Sequence, residues 1–123
     1  MEEEMKLHTS GADQVFSTGA KRDTGIGKGA PYMIPPLALR RLAKHFEIGG
    51  KTHGDLNFMK GMPLARLYDS AWRHLLDWSE GNDKEDALAA ALWNIVIAMW
   101  TEEEIKQGRL PQELDNLPYK KNG

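Results

Sequence analysis

The stretch Ala87-Leu-Ala-Ala-Ala-Leu-Trp-Asn-Ile-Val-Ile-Ala-Met-Trp100 decides the fold, because it is the longest apolar run of the 123-residue chain. Asn94 is its one strongly polar member. A helix that crosses a bilayer needs about 20 apolar residues, and acidic residues crowd both ends of this run, so it is not expected to enter a membrane. A helix that is apolar on every side is typical of the centre of a domain. The run therefore predicts a central buried helix.

Two shorter helices are predicted before this run. The first begins at Pro35-Pro36 and is expected to stop at Gly49-Gly50, and the second begins at Pro63 and ends at Gly81. Apolar residues recur at three- and four-residue steps in both helices: Leu39, Leu42, Ala43, Phe46, Leu64, Leu67, Tyr68, Ala71, Trp72, Leu75 and Leu76. Residues 51–62 have no such period and are predicted to form an irregular connection.

The third helix and the segment after it complete the predicted bundle. Asn82 or Asp83 is expected to cap the helix, since a side-chain oxygen there satisfies free amides of the first turn. The helix is expected to end before Gly108. Pro111 and Pro118 indicate an extended segment that packs back on the helices.

The predicted fold class is all-α, a small helical bundle preceded by an irregular Gly-rich N-terminal arm. The arm is assigned to residues 1–34, the helical domain to residues 35–118 and a tail to residues 119–123. Three helices give limited cover for so apolar a third helix. A second copy of the chain would complete the cover, so a homo-oligomer, a dimer or higher, is expected.

The arm contains the Gly-rich stretch Gly19-Ala-Lys-Arg-Asp-Thr-Gly-Ile-Gly-Lys-Gly29, and Gln14-Val15-Phe16 before it is predicted to be extended. The stretch does not match a phosphate-binding P-loop, because Gly29 follows Lys28 where Ser or Thr is needed. Two interpretations remain, a flexible linker and a basic arm that closes over phosphates. The basic residues of such an arm are Lys21, Arg22 and Lys28.

Composition excludes several classes of function. The chain has no cysteine, which excludes disulfides and thiol catalysis and is compatible with the cytoplasm, that of the host cell for a phage protein. Sixteen basic and 18 acidic residues give a net charge of −2, whereas DNA- and RNA-binding proteins usually carry a basic surplus. A single small anionic ligand remains compatible with this charge.

Acidic residues gather around the turn before the third helix: Asp77, Glu80, Asp83, Glu85 and Asp86. One interpretation is that they complement the helix dipole. The other is a magnesium site, since this ion prefers a few carboxylate oxygens together with phosphates and water. Asp69, Arg73 and Glu80 share one face of the second helix, where they form either a metal- and phosphate-binding stripe or a salt-bridge ladder.

Single polar and aromatic residues offer further candidates. Asn94 either bridges helices or reads a base or sugar at the floor of a pocket. His74 has no second histidine at zinc-ligand spacing, which argues against a zinc site. The four tryptophans are spaced as core residues, although one of them could stack on a purine: Trp72, Trp78, Trp93 and Trp100.

Five segments carry a resemblance to a known family. They are Phe16-Ser-Thr-Gly-Ala-Lys-Arg-Asp23, Leu39-Arg-Arg-Leu-Ala-Lys-His-Phe-Glu47, Gly54-Asp-Leu-Asn57, Arg73-His74-Leu75 and Ala89-Ala-Ala-Leu-Trp-Asn94. They resemble the phage and prophage proteins of the dATP/dGTP diphosphohydrolase family, distant relatives of the MazG-like all-α nucleotide pyrophosphohydrolases. The resemblance extends over about residues 15–118.

The resemblance implies an oligomeric helical bundle that uses Mg²⁺ or Mn²⁺ to split a deoxypurine triphosphate into monophosphate and diphosphate. The chain lacks the Glu-Glu-x-x-Glu helix of MazG-like proteins, and Asp83-x-x-Asp86 approximates their Glu-x-x-Asp motif. The positions that the resemblance carries over are Glu47, Arg73, His74, Glu80, Asp86 and Asn94. Together with the basic arm and the acidic cluster they give the candidate site residues: Glu80, Asp86 and Arg73 for catalysis, Lys21, Arg22, His74 and Asn94 for the nucleotide, and Glu47, Glu80, Asp83 and Asp86 for the metal.

Two functions follow from these patterns. The first is an enzyme that trims the deoxypurine triphosphate pool during phage infection. The second is a nucleotide-binding protein without turnover, such as a phage sponge that sequesters a host immune signalling nucleotide. A complete metal site is the feature that distinguishes the enzyme from the binding protein.

Overall fold

The computed structural model describes residues 13–121. The chain divides into two compact units, Met1–Pro35 and Pro36–Gly123. The second unit consists of three α-helices and their connections, which confirms the predicted all-α fold.

The first unit contains a short hairpin. Strand β1 (Asp13–Val15) pairs antiparallel with strand β2 (Lys21–Asp23), with Gln14 opposite Arg22. The amide of Phe16 donates to the carbonyl of Ala20 at 2.9 Å and closes the turn. The predicted extended piece is thus found at Gln14 and Val15, whereas Phe16 begins the turn. A 3-10 helix, Pro31–Met33, follows.

Helix α1 (Pro36–His53) is one turn longer than the sequence predicts. The expected stop at Gly49-Gly50 is wrong, because both glycines hold helical backbone geometry. Glycine lowers helix propensity by about 1 kcal/mol but does not remove a backbone hydrogen bond. The helix ends at Gly54, which has a φ of 96° and donates its amide to the carbonyl of Gly50 at 2.8 Å.

Helix α2 (Leu64–Ser79) follows a 3-10 helix, Asn57–Lys60. The amide of Ala65 in its first turn donates to Oδ1 of Asn116 at 3.0 Å, so the C-terminal segment caps this helix from a distance. Leu110, Leu114 and Leu117 of that segment pack against the core. The prediction that the segment after Gly108 packs back on the helices is confirmed.

Helix α3 (Ala87–Lys106) begins at Asp86, whose Oδ1 accepts from the amide of Ala89 at 3.1 Å. The predicted caps, Asn82 and Asp83, are therefore wrong. Oδ1 of Asn82 instead accepts from the amide of Lys84 at 3.3 Å within the connection. No helix within residues 13–121 combines the length and apolar character needed to cross a membrane.

The core lies between α2 and α3, with α1 packed against α3. Its buried cluster is Leu64, Leu67, Ile97 and Ile105. The prediction of core positions fails for two tryptophans, since Trp72 and Trp78 are 52% and 56% exposed. Trp93 and Trp100 are partly buried, as expected for side chains at the edge of the core.

Candidate functional site

A cleft of about 770 Å³ lies among α1, α2, α3 and the connection between the first two helices. Its lining includes side chains from the second half of α1, from one face of α2 and from the middle of α3. They are His45, Phe46, Glu47, Ile48, Gly49, Gly50, Thr52, His53, Gly54, Asp55, Leu56, Asn57, Phe58, Met62, Arg66, Leu67, Ser70, His74, Trp93 and Asn94. The volume is that of a small-molecule site.

Aromatic side chains form the apolar part of the cleft. The ring of Phe46 lies 5.8 Å from that of Phe58 and 5.9 Å from that of Trp93, centroid to centroid. Phe58 in turn meets Trp100 edge-on at 5.3 Å. Such inclined contacts fix the rings and leave a rigid apolar surface that suits a flat ligand.

Asn94 supplies a polar group at the buried side of the cleft. The residue is 6% exposed, and its Nδ2 donates to the carbonyl of Ala90 at 2.9 Å. That carbonyl can only accept, so the amide must present Nδ2 to it. Oδ1 makes no hydrogen bond among the described residues and is left as an acceptor for a donor in the cleft.

The face of α2 that lines the cleft carries Arg66, Ser70 and His74, spaced four residues apart. Nη1 of Arg66 donates to Oγ of Ser70 at 3.2 Å. The sequence analysis missed Arg66 and Ser70, although their spacing to His74 was a usable signal. Residues four apart on a helix share one face.

Arg73, the arginine predicted from sequence, does not line the cleft. It forms an ion pair with Asp69, and its Nη2 donates to Oγ of Ser70 at 3.0 Å. Arg66 lies 3.7 Å from the same aspartate. Of the two interpretations of the face that carries Asp69, Arg73 and Glu80, the salt-bridge ladder is therefore found, between Asp69 and the two arginines. Glu80 does not take part and is an exposed residue at the end of α2.

Within residues 13–121, one group of three potential metal ligands comes together: His74, Asp77 and Glu85. One ligand atom from each lies within 4.8 Å of those from the other two. His74 and Asp77 are one turn apart on α2, and Glu85 belongs to the connection that leads into α3. Because His74 also lines the cleft, this triad lies at the cleft wall.

The triad fits a divalent cation by its donors and by an unpartnered atom. Nδ1 of His74 is buried and has no aligned hydrogen-bond partner, although Oε1 of Glu85 lies 3.0 Å away. Two ligands at right angles on an ion with bonds of about 2.1 Å are separated by about 3 Å. One imidazole nitrogen and two carboxylate oxygens form a donor set that suits Mn²⁺, whereas Mg²⁺ prefers oxygen ligands alone.

Asp86, which the sequence analysis assigned to the metal, is engaged elsewhere. Arg41 on α1 holds it through two hydrogen bonds, from Nε to Oδ2 at 2.7 Å and from Nη2 to Oδ1 at 2.6 Å. These bonds, with the amide of Ala89, lower the pKa of Asp86 to about 2. Among residues 13–121, no three of the four predicted metal ligands come together in one group. These predicted ligands are Glu47, Glu80, Asp83 and Asp86.

His45 lies between the triad and the aromatic wall. Its ring is 6.0 Å from that of Trp93. Burial lowers the pKa of His45, and this outweighs the attraction of Glu85 and Asp86 for its proton. His45 is therefore neutral at neutral pH and does not add a positive charge beside the triad.

The remaining predicted residues fall into two groups. Glu47 lies on α1 and lines the cleft, and Asp83 is exposed in the connection before α3. Lys21 and Arg22 are exposed on β2, in the first of the two units. Their role in phosphate binding stays a prediction.

Comparison with known proteins identifies the family. A family model described as dATP/dGTP diphosphohydrolase, N-terminal, matches residues 18–109. The match includes β2, all three helices and every residue that lines the cleft. No curated protein and no solved structure is detectably similar. Since the family model spans most of the sequence, the chain belongs to the dATP/dGTP diphosphohydrolase family.

Proposed function

We propose that the cleft binds a deoxypurine triphosphate, dGTP or dATP, and hydrolyses it to monophosphate and diphosphate with a divalent metal ion. The observation that carries the proposal is the combination of three features in one cleft. These are a rigid aromatic wall, the free acceptor of Asn94, and a His-Asp-Glu triad that His74 joins to the cleft. Membership of the dATP/dGTP diphosphohydrolase family supports the substrate class.

The metal, Mn²⁺ or Mg²⁺, would be held by His74, Asp77 and Glu85. A cation bound there supplies charge that neutralises the phosphates and lowers the pKa of a bound water. The neutral ring of His45 favours this, since a second positive charge would repel the cation. An imidazole nitrogen in the donor set favours Mn²⁺ over Mg²⁺.

The residues of α2 and α3 orient the substrate. Arg66 presents a guanidinium to the cleft and would bind phosphate oxygens, with Ser70 as a second donor. Oδ1 of Asn94 would accept a hydrogen bond from the sugar hydroxyl or from the base. In the reaction, water attacks the α-phosphorus and the bond from that phosphorus to the bridging oxygen breaks. Diphosphate leaves, and the proton of the water is released.

The direct test is to incubate the purified chain with dGTP or dATP and to separate the products by chromatography. We expect monophosphate and diphosphate with Mn²⁺ or Mg²⁺ and none with a chelator. Arg66→Ala should weaken nucleotide binding by about ten- to a hundredfold, the range for a charged contact to phosphate. Arg73→Ala is the matched control, because Arg73 contacts the same Asp69 and Ser70 as Arg66 but does not line the cleft.

Recovery of intact nucleotide from a tight complex, with every metal tried, would overturn the enzyme proposal. The chain would then be a nucleotide-sequestering protein that uses the same cleft. Equal losses for Arg66→Ala and Arg73→Ala would contradict the placement of the phosphates at Arg66.

We also propose that the chain forms a homo-oligomer through exposed apolar side chains of α2 and α3. Tyr68, Trp72 and Leu76 share one face of α2 and are 43%, 52% and 56% exposed. Ile95 and Met99 on α3 are 44% and 65% exposed. Such surfaces are typical of contacts between proteins.

Light scattering tests the oligomer. The wild-type mass should be at least that of a dimer, and Trp72→Glu should reduce it. Trp78→Glu is the control, because Trp78 is exposed to a similar extent and extends from α2 about 120° away from Trp72. A monomeric wild type would contradict the proposal.

A further inference from the structure

Two adjacent glycines interrupt the side chains of α1 where that helix forms the wall of the cleft. Gly49 and Gly50 both lie within Pro36–His53 and both line the cleft. A glycine inside a helix destabilises it by roughly 0.5–1 kcal/mol relative to alanine. A pair of them at this position therefore needs a physical reason.

The reason for Gly50 lies within the chain. A Cβ atom built on Gly50 would overlap Oδ1 of Asp55, in the connection that folds back beneath the end of α1. Any larger residue at position 50 would force the Asp55 side chain to move, whereas the backbone of Asp55 lies at an ordinary contact distance of 3.7 Å. The absence of a side chain at Gly50 is thus explained by the Asp55 side chain packed against it.

No such contact within the chain explains Gly49. A Cβ atom on it would meet no atom within 4 Å, and its backbone is not in the left-handed region. Alanine would therefore fit position 49 without strain and would stabilise the helix. The space in front of Gly49 belongs to the cleft, so the missing side chain keeps cleft volume open.

A second observation in the same cleft points to a ligand. Asn94 is 6% exposed, and its Oδ1 has no partner among the described residues. Oδ1 itself keeps some exposure, so it can accept a hydrogen bond from a ligand or a water molecule in the cleft. Phe46 and Trp93, whose rings are inclined at 56° to each other, provide an apolar wall in the same cleft.

We infer that Gly49 leaves the backbone of α1 bare so that the nucleoside part of the substrate lies directly against it. This inference rests on the proposed function and adds the position of the substrate. His45, near the metal triad, and Gly49 are four residues apart, which is about 6 Å along a helix. In this arrangement the α-phosphate lies at the triad near His45, and the purine nucleoside lies against Gly49.

The test is Gly49→Ala in the full chain, with thermal unfolding and steady-state kinetics measured on the same preparation. Because the helix gains an alanine, the unfolding midpoint should rise by about 2–6 °C. Because the added methyl group occupies nucleoside space, the KM for dGTP should rise about tenfold. Inhibition by dGMP should weaken to the same extent, whereas inhibition by inorganic triphosphate, which has no nucleoside, should not change.

Ala43→Gly is the matched control, since Ala43 is exposed on the same helix and does not line the cleft. It should lower the midpoint and leave the kinetics unchanged. If the wild type is active and Gly49→Ala has the same KM for dGTP, this inference is overturned and the proposed function still stands. Equal weakening of dGMP and inorganic triphosphate, or a lower unfolding midpoint in Gly49→Ala, would also overturn it. A wild type that neither hydrolyses dGTP nor binds dGMP would overturn the proposed function and this inference together.

Discussion

Glu85 and Asp86 are adjacent in the sequence, carry the same charge and precede the same helix, yet their surroundings differ. Both oxygens of Asp86 are bound by Arg41, and one of them also caps α3. The side chain of Glu85 is 53% exposed and approaches the unpartnered nitrogen of His74. One carboxylate is used by the fold, and the other remains free to bind a cation.

The difference shows that the charge pattern alone does not identify a metal ligand. A carboxylate with two charge-assisted hydrogen bonds must break them before it can bind an ion. Arg41 lies 45 residues before Asp86, so a local reading of the acids around α3 cannot include it. Changing each residue in turn tests whether Asp86 stabilises the fold and whether Glu85 binds the metal ion.

The largest expected effect is on turnover. Glu85→Gln keeps the shape of the side chain and removes its charge, so metal-dependent hydrolysis of dGTP should fall at least about 100-fold. A metal ion contributes several kcal/mol to such a reaction, and each 1.36 kcal/mol is a factor of ten in rate. Asp86→Asn should keep activity within about tenfold of the wild type. Steady-state kinetics with saturating Mn²⁺ measures both.

The reverse result would favour the assignment made from sequence. If Asp86→Asn abolishes turnover at unchanged stability while Glu85→Gln remains active, Asp86 is the ligand and the triad is not the metal site. Circular dichroism of both variants provides the control for folding.

An intermediate effect is expected on stability. Asp86→Ala removes the cap of α3 and the partner of Arg41, and should lower the free energy of unfolding by about 1–2 kcal/mol. Glu85→Ala removes an exposed side chain and should change it by less than about 0.5 kcal/mol. Urea unfolding in the presence of a chelator separates this from any effect of bound metal. Equal losses for the two variants would contradict the comparison.

The smallest effect is the pH dependence of the Asp86 contribution. The folded chain holds the pKa of Asp86 at about 2, below its ordinary value of 3.8, so the carboxylate stabilises the folded state above pH 3.8. This contribution should be lost as the pH falls from about 4 to about 2. The difference in unfolding midpoint between the wild type and Asp86→Asn should therefore shrink over that range. A difference that is constant from pH 6 to pH 2 would show that Arg41 does not stabilise the carboxylate.

Much of the fold follows from the sequence, because its signals are local. The apolar run that forms α3, the prolines that begin α1 and α2, and the return of the C-terminal segment each depend on short-range chemistry. The failures have distant causes. Helix α1 continues through Gly49-Gly50 to His53, where Asp55 of the following connection lies against Gly50, a contact outside the glycine pair itself.

The site was predictable in part. His74 and Asn94, which the sequence analysis selected, both line the cleft, and Glu85 and Asp77 were among the acids that it considered. The choice among five nearby acids depends on contacts between helices, which no spacing rule contains. The same limit applies to Arg66 and Arg73, which share one face of α2 and both contact Asp69 and Ser70, although only Arg66 lines the cleft.

Metal binding tests the central claim most directly. Calorimetric titration of the metal-free chain with Mn²⁺ should show binding that Glu85→Gln and His74→Ala remove and that Asp86→Asn retains. That result would assign the ion to His74, Asp77 and Glu85 without relying on activity. Wild-type binding by Glu85→Gln, or loss of binding in Asp86→Asn alone, would contradict the account. The acids predicted from sequence would then be favoured as the metal ligands.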